Sequence, residues 1–199
     1  MGTTSVIKTR MFAKKLTKAN GHWLDAPVSG GTTAAEDGTL TIMAGGGQNA
    51  FDRARPTLQI LGERITHVGA VGAGQIAKSA NQMIVGLTIG AVAEAFALAR
   101  HNGVDPAKIR EALFGGFAHS RILELHGERM LTEDYSPRAK CSIQRKDIAE
   151  AMELAASVNL QLPSLSTNMK LWDLMIENDW AELDHSALLL AIDPQWNKK

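Results

Sequence analysis

The sequence has 199 residues, with 21 basic and 21 acidic side chains, so its formal net charge at pH 7 is zero. This length supports one sizeable core or two small ones. A balanced charge gives no attraction to nucleic acid or to an anionic membrane. The one cysteine, Cys141, excludes an internal disulfide, and no apolar run near the N-terminus has the length of a signal peptide. We therefore expect a cytoplasmic protein that binds neither nucleic acid nor membrane.

The first seventy residues alternate helix and strand patterns. The predicted order is helix, strand, strand, helix, strand, over residues 4–18, 22–28, 39–43, 48–61 and 64–68. Asn20-Gly21 closes the first helix, and Pro56 either kinks or divides the second. This part of the chain therefore predicts a small α/β unit.

A Ser-Gly-Gly run lies between the first two predicted strands. Ser29, Gly30 and Gly31 follow a strand and lead into an alanine-rich turn. A strand that ends this way exposes a hydroxyl and several backbone N–H groups at its carboxyl end, where α/β folds bind ligands. The alternative, a plain Gly-Gly turn without a ligand, is the commoner use of such a run. Both interpretations stay open from the residues alone.

One long apolar helix is predicted from about Ala73 to the stop at Asn102-Gly103. Residues 83–93 carry no charge on any face, so other helices or a second subunit must enclose the middle of this helix. Glu94 and Arg100 interrupt the apolar run, which argues against a membrane span. We expect the chain to form a homo-oligomer through this helical part.

Polar side chains gather on one face near the start of the long helix. Lys78 and Asn81 are one turn apart, with Gln75 before them and Gln82 after them. The helix N-terminus offers backbone N–H groups to an anion such as a carboxylate. A lysine against an apolar wall exchanges its proton more easily, because loss of water penalises the ammonium. The alternative, a lysine at the exposed end of a helix, is the commoner case.

Only helices are predicted after the long helix. Their approximate ranges are residues 106–113, 119–130, 144–158, 164–177 and 184–192. Lys146 and Asp147 fall in the first turn of the third of these, where the aspartate suits the helix dipole. The six histidines show no ligand spacing, so no metal site is expected. The fold class is α+β, with an α/β part over residues 1–71 and an all-helical part over residues 72–199.

Three motifs resemble those of the β-hydroxyacid dehydrogenase family in order and spacing. They are DAPVSGGTTAAEDGTLTIMAGG at residues 25–46, GAGQIAKSANQ at residues 72–82 and KDIAEAMELA at residues 146–155. The family includes 3-hydroxyisobutyrate dehydrogenases, tartronate semialdehyde reductases and, more distantly, 6-phosphogluconate dehydrogenase. Asn81-Gln82 and residues 184–188 are most similar to tartronate semialdehyde reductases. The resemblance implies the last part of a Rossmann-like domain followed by a helical domain.

The resemblance implies a role for each matching residue. Lys78 matches the family's catalytic lysine, which donates a proton to the carbonyl oxygen as hydride arrives and takes it back in the oxidative direction. Substrate binding is implied for Ser29, Gly30, Gly31, Asn81 and Asp147, and cofactor binding for Thr3 and Lys146. Ala139 stands where many members have a phenylalanine, which implies a different pocket shape.

The implied reaction transfers a hydride between NAD or NADP and a short β-hydroxy acid or its semialdehyde. The family's Gly-x-Gly-x-x-Gly fingerprint is expected upstream of Met1, so the pyrophosphate cradle and the cofactor selector lie outside this sequence. Two hypotheses stay open. One is an oxidoreductase whose lysine and helical domain are carried by a piece that is inactive alone. The other is a non-catalytic helical oligomerisation module.

Overall fold

The computed structural model describes residues 1–196 and divides the chain into two compact units. The first contains Met1–Gln82 and Ala149–Gln161, and the second contains Met83–Ile148 and Leu162–Lys199. The elements are α1 (Val6–Lys18), β1 (Leu24–Asp25), β2 (Val28–Ser29), α2 (Gly31–Glu36), β3 (Thr41–Gly46), α3 (Gln48–Leu61), β4 (Arg64–Gly69), α4 (Ala73–His101), α5 (Pro106–Leu113), α6 (Arg121–Thr132), α7 (Cys141–Ala156), α8 (Pro163–Glu177), a 3-10 turn (His185–Ala187) and α9 (Leu188–Ile192). Helices α4 and α7 each contribute residues to both units.

The sheet of the first unit is built on β3. Strand β4 pairs with it in parallel, and β1 and β2 pair with it antiparallel along one edge, in a single register. The strand predicted over residues 22–28 is therefore two short pieces rather than one. Pro27 separates the pieces because it has no N–H to donate, although its carbonyl accepts from the Met43 N–H at 3.0 Å.

The core of the first unit lies between the sheet and α3. Ile42 and Ala44 on β3 are fully buried and pack with Phe51 and Leu58 of α3. Helix α3 is one element, so Pro56 does not divide it. The N–H that Pro56 lacks would bond the Asp52 carbonyl, and both residues are exposed, which lets water take that place. The alanine-rich turn predicted after Ser29 is helix α2.

The second unit is all-helical and packs around the middle of α4. Its fully buried side chains include Ile89 and Phe96 of α4, together with Met130, Trp172 and Leu188 from later helices. By length and hydropathy α4 could cross a membrane, and 44% of its most apolar stretch is buried. The complete burial of Ile89, Ala93 and Phe96 is the behaviour of a core helix. Within the chain residues 83–93 are not enclosed on every side, since Ile84 remains 67% exposed, and their coverage by a second subunit stays a prediction.

Helix boundaries in the second unit follow the caps that the sequence offers. Asp105 accepts from the Ala107 N–H at 2.9 Å and precedes Pro106 at the first position of α5, as predicted. Helix α7 begins at Cys141, three residues before its predicted start. Lys146 and Asp147 therefore lie in its second turn, so the argument from the helix dipole at the first turn does not apply.

Candidate functional site

The start of α4 is held by a buried carboxylate. Asp25 at the end of β1 is 4% exposed, and its two oxygens accept from the backbone N–H groups of Gly72 at 2.7 Å and Gln75 at 3.0 Å. A carboxylate at a helix N-terminus is favoured by the unpaired N–H groups and by the helix dipole. The anion predicted at this helix N-terminus is therefore an internal aspartate, and these two N–H groups are not free for a substrate carboxylate.

Two glycines allow this close approach of α4 to the sheet. A Cβ on Gly74 would lie 2.7 Å from the Asp25 carbonyl oxygen, and a Cβ on Gly45 would lie 2.9 Å from the Ala73 nitrogen. Both distances are shorter than a side chain tolerates, so the helix start rests directly on β1 and β3 only because these positions lack side chains. Gly45 and Gly74 thereby determine where the first turns of α4 lie against the sheet.

Lys78 lies on that second turn and is only 9% exposed. Lysine is rarely buried to this degree in proteins, so the alternative of a solvent-exposed lysine at a helix end does not hold. Ser79 beside it is equally buried. Asn81, one turn further, is half-buried, and its side-chain amide donates to Gln82 Oε1 at 2.8 Å.

The Ser-Gly-Gly run forms the junction between β2 and α2. Ser29 is half-buried at the end of β2, and Gly30 and Gly31 are exposed. Their φ angles are 138° and 72°, in the region where a side chain is strained, so the backbone itself requires glycine at both positions. The serine hydroxyl and the exposed glycine backbone predicted from the sequence both lie at the strand's carboxyl end.

Thr3 precedes α1 and is half-buried. The Gln75 side chain bonds both of its neighbours: Gln75 Nε2 donates to the Gly2 carbonyl at 2.8 Å, and Gln75 Oε1 accepts from the Thr4 N–H at 3.1 Å. The structure thus ties the Thr3 segment to the helix that carries Lys78.

Lys146 and Asp147 belong to the second unit. They form an ion pair with each other at 2.7 Å, in which the aspartate is 3% exposed and the lysine side chain 45% exposed. An exposed ammonium next to a buried carboxylate keeps part of its surface available for a phosphate or another anion. Their predicted roles toward cofactor and substrate stay predictions.

A buried polar cluster in the second unit was not predicted. His126, Asp184 and His185 have ligand atoms within 4.8 Å of one another, a group that could hold a metal ion. The two imidazoles face each other directly, with their Nε2 atoms 2.5 Å apart. The Asp184 carboxylate already accepts from the backbone N–H groups of Arg138, Ala139 and Ser186, from the Ser186 hydroxyl and from the Arg129 guanidinium. This saturation favours an internal hydrogen-bonded cluster over a metal centre.

A cavity of about 690 Å³ in the first unit is lined by the end of α1, the start of α3 and Trp23. The residues that line it include none of the predicted site residues. It therefore adds nothing to the assignment of Lys78 and Ser29.

Two family models match the chain. Residues 72–192 match the family described as NAD-binding of NADP-dependent 3-hydroxyisobutyrate dehydrogenase, and residues 1–69 match the NAD binding domain of 6-phosphogluconate dehydrogenase. The chain belongs to the β-hydroxyacid dehydrogenase family. Within this family of NAD(P)-dependent enzymes, the cofactor class is a nicotinamide dinucleotide.

Named relatives of this β-hydroxyacid dehydrogenase chain act on small hydroxy acids. The chain is 45% identical to the 2-hydroxy-3-oxopropionate reductase of Escherichia coli over 199 residues, which is 100% of the chain and 68% of that protein. It is 34% identical to the NAD-dependent L-serine dehydrogenase of Pseudomonas aeruginosa, covering 86% of the chain and 60% of that enzyme. The chain thus spans about two thirds of the first relative's length and less than two thirds of the second's.

Solved structures of the same family share the fold. A 3-hydroxyisobutyrate dehydrogenase from Mycobacterium tuberculosis, solved with L-serine, has a TM-score of 0.87 at 30% identity, over 96% of this chain and 68% of that one. The enzyme from Salmonella typhimurium has a TM-score of 0.86 at 30% identity, over 94% and 66%. The predicted combination of a Rossmann-like remnant and a helical domain with one long helix is confirmed.

Proposed function

We propose that the chain carries the proton-transferring lysine and the substrate loop of a reductase for short β-hydroxy acids and their semialdehydes. The observation that carries this proposal is the burial of Lys78 on the second turn of α4, three residues after Gln75, whose backbone N–H donates to Asp25. A lysine held on a rigid helical turn is a suitable positioned donor of a proton to a developing alkoxide. The identity to the E. coli 2-hydroxy-3-oxopropionate reductase favours that semialdehyde as substrate.

The residues of this chain transfer one proton and bind one carboxylate. When bound, the nicotinamide supplies the hydride that reduces the carbonyl carbon. The Lys78 ammonium donates its proton to the carbonyl oxygen, which becomes the hydroxyl of the product, and water later reprotonates the amine. Ser29 and the backbone of Gly30 and Gly31 bind the substrate's carboxylate and hydroxyl, and the family resemblance assigns substrate binding to Asn81 and Asp147 as well.

Thr3 and Lys146 are the residues we propose for cofactor contact. A half-buried threonine on an ordered segment suits the neutral nicotinamide end, and a partly exposed ammonium suits a phosphate-bearing group. These residues fit either NAD or NADP, because the residue that selects the ribose substituent belongs to the dinucleotide fingerprint.

The test is a chimera in which the part of the E. coli reductase without a counterpart here is joined to this chain. Purified chimera is assayed with 2-hydroxy-3-oxopropionate, 3-hydroxyisobutyrate and succinic semialdehyde against both cofactors. We expect the first substrate to be turned over fastest. A folded chimera that reduces or oxidises none of them would refute the proposal.

Lys78→Ala tests the proton donor in the active chimera. Positioned acid–base groups contribute about 10²–10⁴-fold to turnover, so kcat should fall by that factor with folding unchanged. Lys170→Ala is the matched control, since Lys170 is exposed on α8. If Lys78→Ala retains full kcat, Lys78 has no catalytic role.

The second candidate function is a helical oligomerisation module without catalysis. The observation in its favour is an apolar stripe on α4, where Ile84, Ala91 and Leu98 are exposed at heptad spacing. Oligomerisation and catalysis are compatible, so only an inactive chimera that still self-associates would favour this candidate over the enzyme.

A further inference from the structure

We propose that Gln75 is a positioning residue that sets the spacing between the Thr3 segment and the helix that carries Lys78. This inference rests on the proposed function, because Thr3 and Lys78 gain their importance from it. Gln75 is 3% exposed, and its primary amide bonds the residues on both sides of Thr3. A glutamine suits this place because it offers one acceptor to the Thr4 N–H and one donor to the Gly2 carbonyl.

The backbone of Gln75 is itself held in place by a hydrogen bond to Asp25. Its N–H donates to Asp25 Oδ2 at 3.0 Å, and the other oxygen of Asp25 accepts from Gly72. Hydrogen bonds to a buried carboxylate are among the stronger ones in proteins. The glutamine therefore cannot follow the N-terminal segment if that segment shifts, and the segment is held at the position of the helix instead.

Lys78 follows Gln75 by three residues, which places the two side chains on adjacent turns of one helix face. One rigid turn thus connects the residue proposed to meet the nicotinamide with the residue proposed to donate the proton. Hydride and proton transfer to one carbonyl require their donors at a fixed separation, and small displacements of such groups cost large factors in rate. The expected consequence of loosening Gln75 is a loss in kcat rather than in substrate KM.

The two side-chain hydrogen bonds of Gln75 can be removed without unfolding the chain. Gly2 and Thr4 are exposed residues, so water can replace the glutamine amide at both of them. Gln75→Met keeps the length and the apolar stem of the side chain while it removes both hydrogen bonds. Gln75→Glu keeps the acceptor for Thr4, and it regains a donor for the Gly2 carbonyl only when its carboxyl is protonated.

The first measurement is amide hydrogen exchange by NMR on the 199-residue chain. In Gln75→Met the Thr4 amide should exchange at least tenfold faster, while the Gly72 and residue-75 amides, bonded to Asp25, keep their protection. Gln59→Met, an exposed glutamine on α3, should leave all three unchanged. Unchanged Thr4 exchange in Gln75→Met would overturn the proposal.

The second measurement is kinetics in the active chimera. Gln75→Met should lower kcat about tenfold at every pH with little change in KM for the hydroxy acid. Gln75→Glu should recover toward wild type as pH falls from 8 to 5, because protonation restores the donor. Wild-type kcat in Gln75→Met, or a loss equal to the loss of folded protein, would refute the positioning role. If the wild-type chimera itself is inactive, the proposed function fails, and the exchange measurement still decides whether Gln75 holds the segment.

Discussion

His126 shows how a single buried side chain makes the second unit sensitive to acid. Burial, the facing His185 and nearby Arg129 lower the pKa of His126 from 6.5 to about 3, and Asp184 opposes them only in part. The folded protein therefore keeps His126 neutral at a pH where the unfolded chain binds a proton. Stability contributed by the neutral form is complete above about pH 6.5 and decreases as pH falls toward about 3.

We predict that the free energy of unfolding falls by up to about 1.4 kcal/mol per pH unit across this window. Urea titrations between pH 7 and pH 4 measure it, with tryptophan fluorescence as the signal, because Trp172 and Trp196 are buried in the second unit. His126→Gln should flatten the slope. His119→Gln, whose side chain is 45% exposed, is the control and should leave the slope unchanged. A wild-type stability that is flat from pH 7 to pH 4 would contradict the prediction.

The placement of candidate site residues was predictable from the sequence where one local motif contains them. Lys78 and its helical neighbours lie within eleven consecutive residues, so their shared face follows from helix geometry alone. Asp25 accepts hydrogen bonds from two N–H groups at the start of α4, 47 and 50 residues away in sequence. No local sequence pattern predicts a partner at that distance. His126 and His185 likewise come together only through tertiary packing, because they are 59 residues apart in sequence.

At the scale of elements, the junction between the sheet and α4 depends on the absence of side chains. Alanine is favoured over glycine inside helices by about 1 kcal/mol, so Gly74→Ala would stabilise an isolated helix. In the folded chain the new Cβ would meet backbone and carboxylate oxygens of Asp25, which cannot withdraw without breaking the helix cap. We predict a net destabilisation of about 1–3 kcal/mol, the usual cost of overpacking.

Urea midpoints of Gly74→Ala and Gly115→Ala test this prediction. A Cβ added to Gly115 would have open space around it, and the backbone there has no positive φ, so its alanine variant should match wild type. Equal midpoints for all three proteins would show that the helix start tolerates a side chain.

The bounds of elements with a strong hydrophobic periodicity were predicted closely, and the bounds of short elements were not. The range of α4 agrees with its apolar pattern because 29 residues of helix leave little ambiguity. The edge strand failed as a single element because Pro27 interrupts its hydrogen bonds, a detail that the hydrophobic pattern does not record. The start of α7 lies three residues before its predicted position, because Lys140, which precedes the helix, is not a preferred N-cap residue.

For the whole molecule, the division into compact units differs from the division expected from the sequence. The first chain boundary of the units falls between Gln82 and Met83, inside α4, whereas the matches to the two family models adjoin near residue 70. A helix that starts on the sheet and continues into the helical unit cannot be assigned to one side by composition. The boundary after residue 71 therefore stays a prediction about folding units, which limited proteolysis of the chain would test.

Self-association is the last property that the whole chain should show. Ile84 and Leu98 are two heptads apart on the same face of α4 and are more than 65% exposed, with Ala91 exposed between them. An apolar stripe of this spacing on a long helix is covered in most proteins by a second helix. We predict that a second copy of the chain covers it, so light scattering should give a mass of at least twice 21.4 kDa.

The variant that tests this association is Ile84→Glu combined with Leu98→Glu. Two carboxylates on the stripe would lose their water in the interface, and like charges from the two copies would face each other there, so the mass should fall to 21.4 kDa. Ile60→Glu is the matched control, because Ile60 is 76% exposed on α3 in the first unit and should not change the mass. A monodisperse wild-type monomer at micromolar concentration, or a double variant that keeps the larger mass, would show that this face of α4 does not hold a second copy.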